Sequence, residues 1–202
     1  MSGEWIPLSP EFYDRPAEQV ARELLGAYLV SDVGGNRCVG RIVETEAYPG
    51  PHDPASHAAR SIGRTARNDP MFGPPGTAYI HLNFGIHWCL NAVVGAEGYP
   101  AAVLIRAAEP RSGLEVMRDR RNGRNDRELM SGPGRLAQAL GIGPDLQRHR
   151  LCEVPLVICP GERLPDDRVV RTTRIGISRG ADREWRYCDA GSLWLSRVVR
   201  AE

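Results

Sequence analysis

The segment Tyr79-Ile-His-Leu-Asn-Phe-Gly-Ile-His-Trp-Cys-Leu-Asn91 reads as two short strands around a tight turn. Ile80 and Leu82 alternate with His81 and Asn83; beyond the turn, Ile86, Trp88 and Leu90 alternate with His87, Cys89 and Asn91. A period of two on both sides of Asn83-Phe84-Gly85 is the pattern of a β-hairpin, whose strands run antiparallel. Hairpin tips usually carry small polar residues. A Phe there either folds back onto its own sheet or stands out as a wedge that pushes into something.

Upstream, Asp14, Pro16 and Glu18 mark a helix start, and Val20, Leu24 and Leu25 carry that helix to about Gly26. A strand from Ala27 to Val33, a Gly34-Gly35-Asn36 turn and a long strand from Cys38 to about Tyr48 form another hairpin. Residues 49–76 are rich in Pro, Gly, Arg and His without periodicity, and so long an irregular stretch inside a compact domain is usually functional. Downstream, Ala101 to Ala107 is an apolar strand interrupted by Arg106. Helices are predicted near Gly113 to Arg121 and near Pro133 to Leu140, with Ser131 as a cap for the second. Short strands near Pro155 to Cys159, Val169 to Ile177 and Ser192 to Arg197 close the chain. No repeat or linker interrupts it, so residues 1–202 read as one α+β domain built around an antiparallel sheet.

A chain of 202 residues with 42% hydrophobic and 25% charged residues can bury a core of its own. No apolar run reaches the roughly 18 residues of a membrane helix, and MSGEWIPLSPEF has no signal-peptide pattern, so a cytoplasmic location and no membrane contact are expected. Cys38, Cys89, Cys152, Cys159 and Cys188 are odd in number and scattered, which fits reduced thiols rather than disulfides or zinc. All 26 basic residues are Arg, so no lysine side chain is present to form a Schiff base. The net charge of +1 says nothing in itself for nucleic acid.

The strand Arg41-Ile-Val-Glu-Thr-Glu-Ala-Tyr48 places Glu44, Glu46 and Tyr48 on one face. Either carboxylate could serve as a general base, and nothing local chooses between them. Arg106 sits in an apolar strand and needs a carboxylate partner. Facing a Glu, it would keep that group ionised and hold a water between them, as a hydrolase requires. The spacings of His57, His81 and His87 match no common metal site, so neither metal nor cofactor is expected. The segment from Arg118 to Arg127 is read as a solvated helix end balanced by Asp119 and Asp126, and His52 and His149 as loop or surface residues.

Taken together, Glu44-Thr-Glu-Ala-Tyr48, Ala55-Ser-His57, Arg67-Asn68, Met71-Phe72, Pro75-Gly-Thr77, Tyr79, Asn91, Leu104-Ile-Arg106, Ser131-Gly-Pro-Gly-Arg-Leu136 and Arg174-Ile-Gly-Ile177 resemble the alkyladenine (3-methyladenine) DNA glycosylases of the mammalian type, also found in bacteria. The match runs from about Ser9 to Arg197. It implies a curved antiparallel sheet flanked by helices, with a protruding hairpin that intercalates into DNA, and an enzyme of base-excision repair that flips out alkylated or deaminated purines. Phe84 stands where the family has its intercalating aromatic, usually Tyr. The resemblance puts the flipped base between Tyr48 on one side and His57 and His81 on the other. It makes Asn91 the residue that excludes guanine by crowding its exocyclic amine, and Tyr79 the partner orienting the His57 ring, whose backbone amide would bond the purine edge. Glu46 becomes the general base, with Arg106 and the Ile175 carbonyl placing the water, and Glu44 takes a structural role.

The implied reaction is hydrolysis of the N-glycosidic bond without a lyase step, on duplex DNA carrying damaged purines, by a monomer. Arg60, Arg64, Arg67 and Arg135 are expected on the DNA face, contacting phosphates without sequence preference. His81 replaces the family's usual tyrosine; with an ordinary pKa of about 6.5, its protonation is expected to repel cationic bases in mild acid. A lesion-binding protein without catalysis is the main competing reading, but it would not need both Glu46 and Arg106. A nucleoside hydrolase is the other, and it would have no use for an exposed Phe84.

Overall fold

The computed structural model of the chain describes residues 5–199. The helices α1 (Pro10–Tyr13) and α2 (Ala17–Glu23) come first. Pro16 sets the start of α2, and Glu18 in its first turn and Arg22 in its last suit the helix dipole. Ala17, Val20 and Ala21, with Leu24 just beyond, bury one face against the sheet. The strands β1 (Tyr28–Ser31), β2 (Cys38–Tyr48), β3 (Ala78–Asn83), β4 (His87–Val94) and β5 (Ala101–Ser112) follow. Three helices, α3 (Leu114–Arg120), α4 (Asp126–Leu129) and α5 (Pro133–Leu140), lead into β6 (Cys152–Glu153), β7 (Leu156–Cys159), β8 (Val169–Thr172) and β9 (Arg186–Asp189). The strands pair antiparallel in the order β3-β4-β5-β2-β1-β7-β6, and β9 joins both β2 and β8. Among the described residues no helix is long and apolar enough to cross a membrane.

β2 is the axis of this sheet. One edge pairs with β5 along its length, while the other pairs with β1 over Cys38 to Arg41 and with β9 over Glu44 to Glu46. The handover coincides with register shifts between Ile42 and Glu44 and between Glu44 and Thr45. Such bulges bend a strand and increase its twist, and the sheet here curls into a half-barrel.

Alternation along the hairpin sorts its side chains. Ile80 and Leu90 join the main core with Ile42, Val103, Ile105 and the buried faces of α2 and α5. Tyr79 faces the other way, into a smaller cluster with Val93 and Ala102 that Ala58 and Met71 cover. The long irregular segment is thus a lid over the second face of β3, β4 and β5. At the turn, Phe84 has φ 50° and Gly85 φ 71°, and the Ile86 amide donates to the Asn83 carbonyl at 3.1 Å. Positive φ at both central residues matches the twist of paired strands. The Phe84 side is 83% exposed, so the ring does not fold back onto its sheet. His87 seats the hairpin against α5, where a Cβ on Gly134 would lie 2.8 Å from the His87 Cβ.

Several expectations are corrected. Val169 to Ile177 is a strand only to Thr172, because the Ile175 amide donates to a side chain, Glu46, instead of a neighbouring strand. Ser192 to Arg197 forms no strand, since the Ser196 amide and hydroxyl are both given to Glu44. Ser131 does not cap α5; Gly132 holds the cap position, and the Ser131 hydroxyl accepts from Arg135. The segment read as a solvated helix end is the end of α3, with Arg118 paired to Asp126 as expected, and the short helix α4, capped by the Asn125 side chain, begins at its last two residues. β9 escaped a periodicity reading because its ends are buried charges, Arg186 and Asp189, held by Glu44 and by Arg41 and Arg168.

Glu44 ties these pieces together. Its Oε1 accepts from Arg106 Nε at 3.0 Å, Arg186 Nε at 2.7 Å and the Ser196 hydroxyl at 2.7 Å, and its Oε2 accepts from the Ser196 amide at 2.6 Å. The carboxylate is fully buried and joins β2, β5, β9 and the C-terminal segment. Removing one partner of a buried ion pair leaves uncompensated charge, which costs about 3–5 kcal/mol. Glu44→Ala should therefore lower the unfolding free energy by about that much in urea titration, and a loss within experimental error of zero would contradict this role.

Candidate active site

The second face of β3, β4 and β5 opens into a cavity of about 130 Å³. Tyr48 from β2, His57 from the lid, Tyr79 and His81 from β3, Asn91 from β4, Arg106 from β5 and Ile175 line it. All seven were expected at one site from the sequence, and the fold brings them together. Sequence reading had not placed Cys89, Leu104 and Pro133, which share the wall. Leu104 and Pro133 stand in motifs that carry the resemblance but were given no role there, and Cys89 showed strand alternation alone.

Glu46 does not itself line the cavity; its side chain is fully buried behind the wall that Tyr48, Arg106 and Ile175 form. The Tyr48 hydroxyl donates to its Oε2 at 2.9 Å, the Ile175 amide donates to its Oε1 at 2.8 Å, and Arg106 Nη1 stands 3.2 Å from the same Oε1. Arg106 therefore bridges both carboxylates, Nε to Glu44 and Nη1 to Glu46. The expectation of a water between Arg106 and Glu46 is corrected: at 3.2 Å the pair is in direct contact. The amide of Ile175 also meets Glu46. Burial opposes the charge on Arg106, but Glu46 and Glu44 outweigh it and raise its pKa. Burial, then Glu46, holds the Tyr48 hydroxyl well above its ordinary pKa, so it remains a donor.

On the opposite wall, His57 Nδ1 lies 2.8 Å from the Tyr79 hydroxyl, and Asn68 Nδ2 holds the His57 carbonyl at 2.8 Å. The His57 and His81 rings meet edge to face with centroids 4.6 Å apart. Asn91 Nδ2 donates to the Tyr79 carbonyl at 2.9 Å, which fixes the amide's orientation, and its second hydrogen faces His81 Nδ1 at 3.0 Å. Nδ1 must then be the acceptor, and the His81 proton sits on Nε2.

The arginines expected on the DNA face are all exposed. Arg64 pairs with Asp69 at 2.6 Å and lies over the Phe72 ring, Arg67 donates to the Leu82 carbonyl at 3.1 Å, and Arg135 donates to the Ser131 hydroxyl. Arg60 makes its backbone bond to Pro51 and leaves its side chain at the surface. Behind the site, three residues with no role read from the sequence form a second layer: Arg174, Asp53 and Trp185. Among the described residues no group of three or more His, Cys, Asp or Glu is arranged to hold a metal.

Comparison with known proteins converges on one family. The family model described as Methylpurine-DNA glycosylase matches residues 11–193. A relative from Salinibacter ruber is 44% identical over 199 residues, covering 94% of this chain and 96% of its own. One from Carboxydothermus hydrogenoformans is 44% identical over 191 residues, with 94% and 98% covered. One from Myxococcus xanthus is 51% identical over 173 residues, with 86% and 82% covered. The names of all three carry "3-methyladenine DNA glycosylase".

The expected titration of His81 in mild acid is corrected by its surroundings. Burial first, then His57 and Arg67, lower its pKa to about 3. Burial, then Arg67, also lowers that of His57. A proton on His81 Nδ1 would face the Asn91 donor, so the hydrogen-bond geometry agrees. The folded His81 stays neutral while the unfolded one gains a proton below about pH 6.5, so its contribution to stability is full above that pH and is lost as pH falls towards 3. Thermal melting of wild type and His81→Phe should show wild type losing the larger share of stability between pH 7 and pH 4.5; parallel losses would contradict a neutral buried imidazole.

Proposed function

The chain belongs to the methylpurine-DNA glycosylase family and is a DNA glycosylase of base-excision repair, and we propose that it acts as a monofunctional enzyme whose general base is Glu46. The observation that carries this reading is the Glu46 carboxylate, buried yet held by Tyr48, Ile175 and Arg106 beside a cavity with aromatic walls. The flipped purine lies between Tyr48 on one side and His57 and His81 on the other, and stacking of this kind contributes about 1–3 kcal/mol per base. Two neutral imidazoles and a tyrosine ring accept a cationic alkylpurine through its attraction to their faces. Asn91, its amide fixed by Tyr79 and His81, guards against the exocyclic amine of guanine. Among the described residues no acceptor takes the His57 backbone N–H, which supports its use as the donor to the purine edge. Phe84 fills the gap left in the duplex.

Hydrolysis forms a bond from water oxygen to C1′ and breaks the bond from C1′ to the purine nitrogen, whose electron pair leaves with the base. The water's proton passes to Glu46. A purine already cationic departs neutral and needs no acid, whereas hypoxanthine needs a proton before or as it leaves. A carboxylate oxygen has two acceptor sites, so Oε2 can take the water beside the Tyr48 hydroxyl. Arg106 and Ile175, through its carbonyl, help to place that water. With no lysine in the sequence, an imine to a lysine side chain is impossible and the product is an intact strand with an abasic site. The substrate is duplex DNA bearing a damaged purine, engaged by a monomer in the cytoplasm, with Arg60, Arg64, Arg67 and Arg135 on the phosphates.

A labelled duplex carrying one hypoxanthine or one 7-methylguanine, incubated with enzyme and then heated in alkali, tests the chemistry. Wild type should yield strand breaks only after alkali, and Glu46→Gln should be slower by about 10²–10⁴-fold while still binding the lesion; breaks without alkali, or equal rates, would contradict the reading. Phe84→Ala should leave the melting temperature unchanged, because the ring is 83% exposed, yet weaken lesion binding by about tenfold. Unchanged lesion binding would remove Phe84 from the DNA interface.

A further inference from the structure

Arg174 is unused by the chemistry above, and its surroundings are unusual for an arginine. Its side chain and that of Asp53 are both fully buried and form an ion pair, in which Nη2 donates to Asp53 Oδ1 at 2.8 Å. Nη1 also donates to the Ala47 carbonyl at 3.0 Å. The guanidinium carbon lies 4.6 Å from the Tyr48 ring centroid and 4.9 Å from that of Trp185, so the group is flanked by two aromatic rings. Its Nε has no partner among the described residues. Tyr48 lines the cavity and Arg174 does not. Arg174 thus backs the ring from behind.

The next residue is Ile175, whose amide donates to Glu46. Arg174 grips the backbone at Ala47, and Ala47 stands between Glu46 and Tyr48 on β2. The backbone of Ala47 is held from its amide as well, which donates to the Trp185 carbonyl at 2.8 Å. One side chain therefore fixes three things at once: the register of residues 174–175 against β2, the rear of the stacking ring, and, through Asp53, the start of the lid that carries His57.

We propose that Arg174 is a positioning residue for glycosidic hydrolysis, holding the Tyr48 ring in place and setting the Ile175 amide on Glu46 without touching substrate. This rests on Glu46 being the general base. A planar fork is required: it spans Asp53 and Ala47 while offering flat faces to two rings, which an ammonium does not. Small displacements of such supports cost about 10²-fold in rate at the limit. Losing the Ile175 donor also disfavours the charged carboxylate. The charged and titratable groups around Glu46 are Arg106, Arg174, Tyr48, Cys89, Cys188 and Glu44; of these only Arg174 changes in the test below.

The test is Arg174→Lys, assayed by single-turnover excision from a hypoxanthine duplex across pH. The expected result is a folded protein whose rate is lower by about tenfold or more, with the acid limb of its profile moved to higher pH and affinity for undamaged duplex unchanged. A wild-type rate, or a lower rate with an unmoved acid limb, overturns the proposal. The double variant Asp53→Asn/Arg174→Met removes both charges together, so a fall in rate with a moved limb there cannot come from an orphaned carboxylate; if Arg174→Lys fails to fold, this variant decides, and a wild-type profile in it overturns the proposal. Glu46→Gln run alongside separates the two claims, since a wild-type rate in that variant defeats the general-base reading whatever Arg174→Lys does.

Discussion

Arg106 bridges two carboxylates that leave one strand two residues apart, Nε to Glu44 and Nη1 to Glu46, and much of the site depends on that bridge. A guanidinium buried in an apolar strand is costly unless its charge is met. Glu44, which also accepts from Arg186 and Ser196, meets it on the side of the sheet, and this leaves the other end of the fork free for Glu46. The pair divides its labour by connectivity. Neither carboxylate lines the cavity, but Glu44 accepts four hydrogen bonds from groups away from it, whereas Glu46 is held by Tyr48, Ile175 and Arg106, all of which line it. The local sequence offered no choice between the two carboxylates; the bulge at Ile42 to Thr45 and the arrival of β9 supply it.

The same frame is compatible with the proposed preference for cationic bases in a chain of nearly zero net charge. Neutral rings, rather than anionic side chains, wall the cavity. Burial keeps His57 and His81 uncharged, and the Asn91 amide occupies the site where His81 would take a proton. Attraction to ring faces works without a fixed negative charge. Glu46, the proposed general base, is kept behind the wall.

Elements with strong local periodicity were legible in the sequence. β2 spans Cys38–Tyr48 and α5 spans Pro133–Leu140, as alternation and a Pro at the helix start indicate. The hairpin was legible for the same reason, and the odd Phe84 at its tip is as exposed as a wedge requires. Less was legible where the chain is held by distant partners. The segment after Thr172 and the stretch around Ser196 look strand-like, but their amides bond to Glu46 and Glu44, far away in sequence. β9 hides behind buried charges, and Arg174 carries no local sign that it will lie behind Tyr48. The ordinary pKa assumed for His81 failed for a related reason, because burial is a property of the assembled walls.

In the proposed complex one cavity holds the extruded purine beside Glu46 while Phe84 takes its place in the duplex. A crystal structure of Glu46→Gln bound to a duplex with a single hypoxanthine tests it most directly. The expected result is the base stacked on Tyr48 opposite His57 and His81, with Phe84 between the flanking base pairs. A base left in the helix, or seated away from Tyr48 with Phe84 outside the duplex, would contradict it.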